Sequence, residues 1–174
     1  MPIEVLETDF PEAKIFIPEV FRDGRGFFKE TYSAEKYRAL GLDDHFVQDS
    51  ISVSRKNVLR GLHYDPRMSK LVQVLRGKLF DVIVDLRDGS ATYLRWQSFE
   101  LSEDNHRQLY IPAGFGHGIL ALTDNLILSY KHGALYDPAA ESTIRWDDPA
   151  IGIVWPLDGE PILSAKDAAA PTIA

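Results

Sequence analysis

The sequence predicts an all-β protein that folds as a barrel or a sandwich. Short apolar or alternating runs recur along most of the chain, and turn residues such as Asp88-Gly89-Ser90 stand between them. Only one segment has a clear helical pattern, and neither a heptad nor an internal repeat is present. These three observations favour many short strands over a helical or mixed fold.

Ten strands follow from the runs, since alternating side chains between turn residues are typical of extended backbone. In chain order the predicted strands span residues 14–18, 26–32, 46–54, 59–63, 71–76, 79–86, 94–101, 107–111, 118–122 and 126–136. The apolar residues 2–18 are expected to pair at an open sheet edge. In the strand at 79–86, Asp81 and Asp85 share one face, which is either a solvent-facing surface or part of a site.

The helix is predicted between the second and third of these strands. Ser33 can cap its N-terminus, and Gly41 ends it. Tyr37 and Leu40 lie on one face of the helix. The chain becomes loop-like after Trp155, so the prediction is a β fold with a few short helices.

Composition limits the classes of function that need to be considered. The 174 residues are 45% hydrophobic and 26% charged, which predicts one soluble domain over residues 1–174. The net charge of −7 argues against nucleic acid or an anionic membrane as a partner. The N-terminus does not have the pattern of a signal peptide, and the apolar runs are too short to span a bilayer. The absence of cysteine fits a reducing compartment, so a cytoplasmic protein is expected.

Two segments resemble the motifs of the cupin barrel. The first cupin motif, G-x5-H-x-H-x4-E-x6-G, supplies two His and a Glu to a metal. Here His63 keeps the first His, Asp65 replaces the second, Lys70 stands at the Glu, and the segment closes on Gly77. The second motif, P-x-G-x-x-H, is kept over residues 112–117. The resemblance predicts a cupin-type double-stranded β-helix, which is a jelly-roll barrel.

The altered motif predicts a site without a metal or another cofactor. Two imidazoles, an acid and the Lys70 ammonium suit a divalent cation poorly. They do suit proton transfer beside a developing oxyanion, because a Lys can supply the positive charge that a metal would bring. Tyr130, at the end of an apolar run, could return a proton, and Tyr136 lies on the same face if the strand continues.

His63 is the candidate base, since the ordinary pKa of His lies near neutral pH. A base of this kind needs an acceptor that orients its other nitrogen. The residues leave four carboxylates open for that role: Asp65, Asp81, Asp85 and Asp167. Several cations could form a clamp for a diphosphate if they converge on the barrel mouth. They are Arg25, Arg55, Lys56 and Arg60.

With these residues assembled, the chain resembles the dTDP-4-dehydrorhamnose 3,5-epimerase family of cupins from about residue 14 to residue 167. Each motif is weak alone, and their order and spacing together carry the resemblance. The motifs are Asp23-x-Arg25-Gly26-x-Phe28-x-Glu30, Gln48-Asp49-Ser50-x-Ser52-x-Ser54, Val58-Leu59-Arg60-Gly61-Leu62-His63, Lys70-Leu71-Val72, Phe80-Asp81-x-x-Val84-Asp85-Leu86-Arg87, Leu101-Ser102-x-x-Asn105, Ile111-Pro112-x-Gly114-Phe115-x-His117-Gly118, Tyr130-Lys131, Arg145-Trp146-x-Asp148-Pro149 and Leu163-Ser164-x-Lys166-Asp167.

The resemblance implies epimerisation at C3, C5 or both of a nucleotide-linked 4-keto-6-deoxy sugar, with dTDP as the expected carrier. It implies His63 as the base, Asp167 as the carboxylate that orients it, Lys70 as the cation beside the enolate and Tyr130 as the acid. The implied substrate contacts are Arg25, Phe28, Glu30, Gln48, Ser50, Arg60, His117, Tyr136, Glu141 and Lys166, with His117 held by Asp81. The resemblance also implies a homodimer with residues 1–20 at the interface, in which Arg25 and Glu30 serve the neighbouring subunit.

Two departures from the family pattern keep alternatives open. Residues 64–69 form a shorter connection than is usual between the His and the Lys, and Ser50 replaces an Asn. A GDP-linked 4-keto-6-deoxy sugar or heptose is therefore an alternative substrate. A sugar-nucleotide 3,4-ketoisomerase would carry a second His where Asp65 stands. A non-catalytic sugar-binding cupin would need no acid such as Tyr130, and a metal-dependent oxygenase conflicts with Lys70.

Overall fold

The computed structural model describes residues 1–173, which form two antiparallel sheets that face each other, a separate hairpin and two short helices. The strands are β1 (Ile3–Glu7), β2 (Lys14–Pro18), β3 (Val20–Asp23), β4 (Gly26–Lys29), β5 (Gln48–Ser54), β6 (Leu59–Tyr64), β7 (Lys70–Arg76), β8 (Lys78–Asp85), β9 (Trp96–Ser102), β10 (Gln108–Ile111), β11 (Phe115–Ala121), β12 (Leu126–His132) and β13 (Ser142–Thr143). The helices are α1 (Ala34–Ala39) and α2 (Ala165–Ala168). Within this part of the chain, no helix is both long and apolar enough to span a bilayer.

The two sheets confirm the prediction of an all-β, cupin-like jelly roll. Six strands form the first sheet, in the spatial order β1-β2-β10-β7-β12-β5. Five strands form the second, in the order β13-β6-β11-β8-β9. Strands that are distant in sequence are neighbours in both sheets, which is typical of a jelly roll. The hairpin of β3 and β4 pairs with neither sheet.

The main core fills the space between the sheets. Val72 and Leu128 from the first sheet pack with Leu79, Ile83 and Ile119 from the second, and all five are almost fully buried. Burial on this scale contributes about 1.5–3 kcal/mol for each large aliphatic side chain. The barrel interior is therefore a packed core with a polar site at one place.

A second core covers the outer face of the second sheet. Val82 and Val84 pack there against Ile151 and Trp155, together with other apolar residues of the C-terminal segment. The loop-like end of the chain thus forms the outer layer of the fold. β8 is therefore buried on both faces. Asp81 shares its face with Leu79 and Ile83, which pack against the first sheet, so the interpretation of that face as a solvent-facing surface is wrong.

Several strand boundaries differ from the prediction. The strand predicted at 118–122 begins at Phe115, because pairing with β8 already starts there. The strand predicted to end at 136 stops at His132, and the amide of Gly133 donates to the carbonyl of Ser69 instead. Strands β1, β3 and β13 were absent from the ten predicted strands. β3 forms through the tight turn that leads into β4.

Helix α1 confirms the predicted helix and its end. The amide of Gly41 donates to Arg38, and that of Leu42 donates to Tyr37, with Gly41 at φ 88°. This is the Schellman arrangement, which favours Gly because its backbone adopts positive φ without strain. Ser33 occupies the N-cap position as predicted, but its side chain makes no capping hydrogen bond.

Candidate active site

A cavity of about 220 Å³ lies between the two sheets. Strands of both sheets contribute side chains to it, and so do the segment before β7 and the segment between β12 and β13. The lining residues are Ser52, Arg60, His63, Met68, Lys70, His117, Ile119, Tyr130, His132, Tyr136 and Glu141. Seven of these were predicted as site residues from the sequence, so the cavity gathers groups that are far apart along the chain.

Strand register brings the two cupin histidines together. His63 on β6 stands directly opposite His117 on β11 in an antiparallel pair, so both side chains lie on the same face. Gly61 permits this close approach, because a Cβ at its position would lie 2.6 Å from the carbonyl oxygen of His117. Its φ of +125° also favours Gly over any other residue.

A buried carboxylate orients the His63 ring. His63 Nε2 lies 2.7 Å from Oδ1 of Asp167, whose side chain is only 3% exposed. Asp167 also accepts hydrogen bonds from the hydroxyl of Ser164 at 2.7 Å and from the amide of Gly61. Burial acts to raise the pKa of Asp167, but the hydrogen bonds from His63 and Ser164 outweigh it and lower that pKa. The carboxylate can only accept, so Nε2 carries the proton and Nδ1 keeps its lone pair.

Asp81 is engaged by the second histidine instead. Both of its carboxylate oxygens lie 3.0 Å from Nε2 of His117. Burial lowers the pKa of His117, as do the charges of Lys70 and His63, while Asp81 opposes this change. A neutral His117 that donates from Nε2 presents an unprotonated Nδ1.

The other two carboxylates considered for His63 pair with arginines. Asp65 accepts two hydrogen bonds from the guanidinium of Arg67, at 3.1 and 2.8 Å, and lines no part of the cavity. Asp85 accepts two from Arg87, both at 2.9 Å. Such bidentate pairs leave neither carboxylate available to a histidine. Of the four candidates, the structure therefore places only Asp167 against His63.

Lys70 lies in the cavity with 9% of its surface exposed. Burial lowers the pKa of its ammonium group, and the charges of Glu141, Asp81 and Asp65 act in the opposite direction. The position that would carry a metal-binding Glu in a cupin thus holds a buried amine. Among residues 1–173, no group of three His, Cys, Asp or Glu side chains has the geometry of a metal site.

Tyr130 is held on three sides. Its hydroxyl lies 3.2 Å from that of Ser52, its ring stands edge-on to His117, and the ring of His132 lies parallel to it. Burial raises the pKa of the Tyr130 phenol, although the hydrogen bond with Ser52 opposes this. The phenol therefore keeps its proton at neutral pH and can give it only to a strong base, such as the carbon of an enolate.

Three more predicted substrate contacts form one side of the cavity mouth. Arg60 and Glu141 line the cavity, and Lys166 forms an ion pair with Glu141. The guanidinium of Arg60 also donates to the hydroxyl of Ser54 at 3.1 Å. This side combines two cationic groups with one carboxylate.

The other side of the mouth is held by hydrogen bonds around Gln48. Its side-chain oxygen accepts from the amide of Tyr136 at 3.0 Å, and its side-chain nitrogen donates to the hydroxyl of Ser50 at 3.3 Å. Tyr136 lines the cavity with 54% of its surface exposed, so its ring is free to stack on a ligand.

Three predicted contacts lie outside the cavity of their own chain. Arg25 and Phe28 belong to the hairpin of β3 and β4, where the Arg25 side chain is 91% exposed and Phe28 is 65% exposed. Glu30 follows the hairpin and pairs with Lys36 at 2.7 Å. The hairpin is a separate two-stranded sheet, and its Arg22 and Phe27 side chains contact His106 rather than the cavity.

Within one chain, fewer cations reach the cavity than the predicted diphosphate clamp would need. Of its four cations only Arg60 lines the cavity. Arg25 pairs with Asp23 on the hairpin, and Lys56 pairs with Asp158 on the surface. The positions of charged residues in the sequence do not indicate which side chains point into the barrel.

Four residues that line the cavity were not predicted: Ser52, Met68, Ile119 and His132. Strand alternation could have found two of them. His132 follows Tyr130 by two positions on the same strand, and Ser52 alternates with the predicted Ser50, so each shares a face with a predicted residue. Helix α2, which carries Asp167, was also missed, although Ser164-x-x-Asp167 is a recognisable capping pattern.

Comparisons with known proteins agree with this geometry. The family model described as dTDP-4-dehydrorhamnose 3,5-epimerase matches residues 7–174. A protein of that name from Methanothermobacter thermautotrophicus is 48% identical over 93% of this chain and 90% of its own length. One from Salmonella typhimurium is 46% identical, over 97% and 94% respectively.

Solved structures give the same result. The dTDP-6-deoxy-D-glucose-3,5-epimerase of Legionella pneumophila, in complex with dTDP-4-keto-L-rhamnose, has a TM-score of 0.95 and 44% identity, covering 98% of this chain and 93% of its own. The dTDP-4-dehydrorhamnose 3,5-epimerase of Bacillus anthracis, with TDP and PPi bound, has a TM-score of 0.95 and 42% identity, covering 99% and 100%.

Proposed function

Because the chain belongs to the dTDP-4-dehydrorhamnose 3,5-epimerase family, we propose that it inverts C3 and C5 of a dTDP-linked 4-keto-6-deoxyhexose. The protein is an isomerase that acts on nucleotide sugars. One observation carries the proposal most directly. The His63–Asp167 pair and the Tyr130 phenol reach the same cavity from two facing sheets. Inversion needs a base and an acid on opposite faces of one carbon.

The C4 ketone of such a sugar acidifies the protons on C3 and C5. Nδ1 of His63 removes one of them, and the electron pair of the broken C–H bond forms the enolate. The ammonium of Lys70 stabilises the negative charge that develops on the enolate oxygen. Tyr130 then protonates the carbon from the opposite face, which inverts the centre. Solvent returns a proton to the phenolate and takes one from His63.

The mouth of the cavity supports binding of a nucleoside diphosphate. Arg60 and Lys166 provide positive charge there, and Tyr136 offers an exposed aromatic face for a base. Gln48 and Ser50 add neutral hydrogen-bonding groups beside it. The related structures were solved with dTDP-4-keto-L-rhamnose and with TDP, which supports dTDP as the carrier.

We also propose that the enzyme is a homodimer that works in the cytoplasm. The exposed hairpin carries Arg25 and Phe28 beyond the reach of their own cavity, so a neighbouring subunit's cavity is their expected target, together with Glu30. β1 is an edge strand of the first sheet, and edge strands tend to be covered. The absence of cysteine fits the reducing compartment.

The test is incubation in D2O with dTDP- and GDP-linked 4-keto-6-deoxy sugars, followed by NMR of the recovered sugar. The expected result is deuterium at C3 and C5 with inverted configuration, for the dTDP-linked sugar. Turnover of the GDP-linked sugar alone would reassign the carrier. Migration of the ketone to C3 would instead indicate a ketoisomerase, and no change in either sugar would leave a binding protein.

A further inference from the structure

We propose that His132 is a positioning residue for Tyr130, and that Met68 holds His132 in place. The inference rests on the proposed function, in which Tyr130 is the acid that returns the proton. The three residues form a chain of contacts from the connection at 64–69 to the phenol. That connection is the segment whose short length distinguishes this sequence.

The contact between His132 and Tyr130 follows from the strand that carries them. The two residues alternate on β12, so their side chains lie on the same face. Their ring centroids are 5.7 Å apart and the ring planes differ by 8°. Parallel, offset aromatic pairs at such distances are favourable beyond the area that they bury. His132 therefore restricts the plane of the Tyr130 ring.

Met68 restricts His132 in turn. Its sulfur lies 3.3 Å from Nδ1 of His132, and its side chain is only 7% exposed. On the backbone, His132 is directly paired with Lys70, the first residue after the connection. The connection at 64–69 thus fixes the position of Met68, and strand pairing fixes the backbone of His132. The imidazole of His132 therefore has little conformational freedom.

The imidazole acts by shape rather than by charge. Burial lowers the pKa of His132 to about 4, and the charges of Lys70 and His117 act in the same direction. The ring is therefore neutral at pH 7. Its Nε2 is buried without a hydrogen-bond partner among the described residues, which is consistent with a side chain whose main contacts are its ring faces.

Loss of the ring should affect one half of the reaction more than the other. His63 would still remove the proton, since neither it nor Asp167 contacts His132. The phenol would keep its hydrogen bond to Ser52 but lose the restriction on its ring plane. Small misplacements of a reacting group can reduce rates strongly. Protonation on the opposite face would therefore slow relative to deprotonation.

The experiment measures, in D2O, the ratio of deuterium incorporated with retained configuration to deuterium incorporated with inversion. His132→Leu removes the aromatic plane at similar volume and should raise this ratio about tenfold or more, with little change in KM. His132→Phe restores the plane and should bring the ratio back towards that of the wild type. His45→Leu, the same change at an exposed position outside the cavity, is the matched control and should behave as the wild type.

Two outcomes would overturn the inference. One is a wild-type ratio in His132→Leu; the other is a ratio in His132→Phe as high as in His132→Leu, which would assign the effect to a ring nitrogen. Met68→Ala tests the support of His132 separately and should raise the ratio as well, which also covers the case in which His132→Leu fails to fold. An unchanged ratio in that variant would remove Met68 from the proposal. A wild-type protein with neither exchange nor inversion would refute the proposed function instead.

Discussion

His63 Nε2 lies 2.7 Å from Asp167 Oδ1, although 104 positions separate the two residues in the chain. The contact joins β6 of the second sheet to the short C-terminal helix α2, whose N-cap Ser164 also donates to the carboxylate. Because the carboxylate is buried and held by several donors, it fixes one tautomer of His63. Nδ1, the nitrogen that Asp167 does not bind, is therefore the basic one.

Substitution of the base should abolish both exchange and inversion. We expect His63→Ala to lower turnover by about 10²–10⁴-fold, the range for a positioned general base. Asp167→Asn should also lower it strongly, because an amide can orient the imidazole in the wrong tautomer. Rate assays measure turnover, and NMR in D2O measures exchange and inversion. Binding of dTDP should survive in His63→Ala, and more than about a tenth of the wild-type rate in that variant would contradict the assignment.

Substitution of the acid should separate the two halves of the reaction. Tyr130→Phe keeps the ring that packs against His117 but removes the proton, so the enolate should form and be reprotonated from its original face. Recovered substrate should then carry deuterium with retained configuration, as measured by NMR. If Tyr130→Phe inverts the sugar at the normal rate, the phenol is not the acid.

Removal of metal should leave the activity unchanged. In the proposed mechanism Lys70 supplies the positive charge beside the enolate, and it occupies the position at which a cupin would carry a metal-binding Glu. Dialysis against EDTA, followed by rate measurement and elemental analysis, checks this expectation. Loss of activity that Mn, Fe or Zn restores would contradict it, whereas Lys70→Met should lower turnover in the presence or absence of EDTA.

The stability of the protein should depend on pH through His132. Its pKa is about 4 in the folded state, against an ordinary value near 6.5, so the unfolded state binds more protons between these values. The contribution is fully present above pH 6.5 and is lost as the pH falls towards 4. Burial and the charges of Lys70 and His117 oppose protonation of the His132 ring, whereas the charge of Asp49 partly favours it.

At about 1.4 kcal/mol per pKa unit, the fall in pKa from 6.5 to about 4 limits the loss to about 3.5 kcal/mol, and the real loss is smaller because the ring is only half-buried. His132→Phe does not titrate at this position. Urea unfolding at pH 7.5 and pH 4.5 should therefore show a larger loss of stability in the wild type than in His132→Phe. Equal losses in the two proteins would contradict the neutral state of the His132 imidazole in the folded protein.

The quaternary structure gives a further prediction. If the hairpin serves a neighbouring cavity, light scattering at micromolar concentration should give the mass of a dimer. Arg25→Ala should then raise the KM for the nucleotide sugar, even though Arg25 does not reach the cavity of its own chain. A monomeric mass, or a normal KM in Arg25→Ala, would argue against a shared site.

Much of the fold could be predicted because the signals are local. Alternating apolar residues and turn residues predicted most strands. The predicted end of the first helix at Gly41 is confirmed by its hydrogen bonds. The cupin motifs identified His63, Lys70 and His117, since each motif has a fixed spacing within a short segment of the chain. The structure places all three in one cavity.

The remaining features depend on which distant segments meet. The residues alone left four carboxylates as possible partners of His63, and only packing of the C-terminal helix against β6 selects Asp167. Asp81 and Asp85 on β8 have the same local pattern as a solvent-facing strand, but the first sheet packs against the face that they share with Leu79 and Ile83 and buries both carboxylates.

Strand alternation and motif spacing are properties of neighbouring residues, so the sequence was enough to predict most of the strands, the proposed class of chemistry and most of the groups proposed for it. The tertiary structure was needed to place Arg25 outside its own cavity and His132 and Met68 inside it. Such placement is set by sheet pairing and close packing between segments far apart in the chain, and no local pattern encodes it.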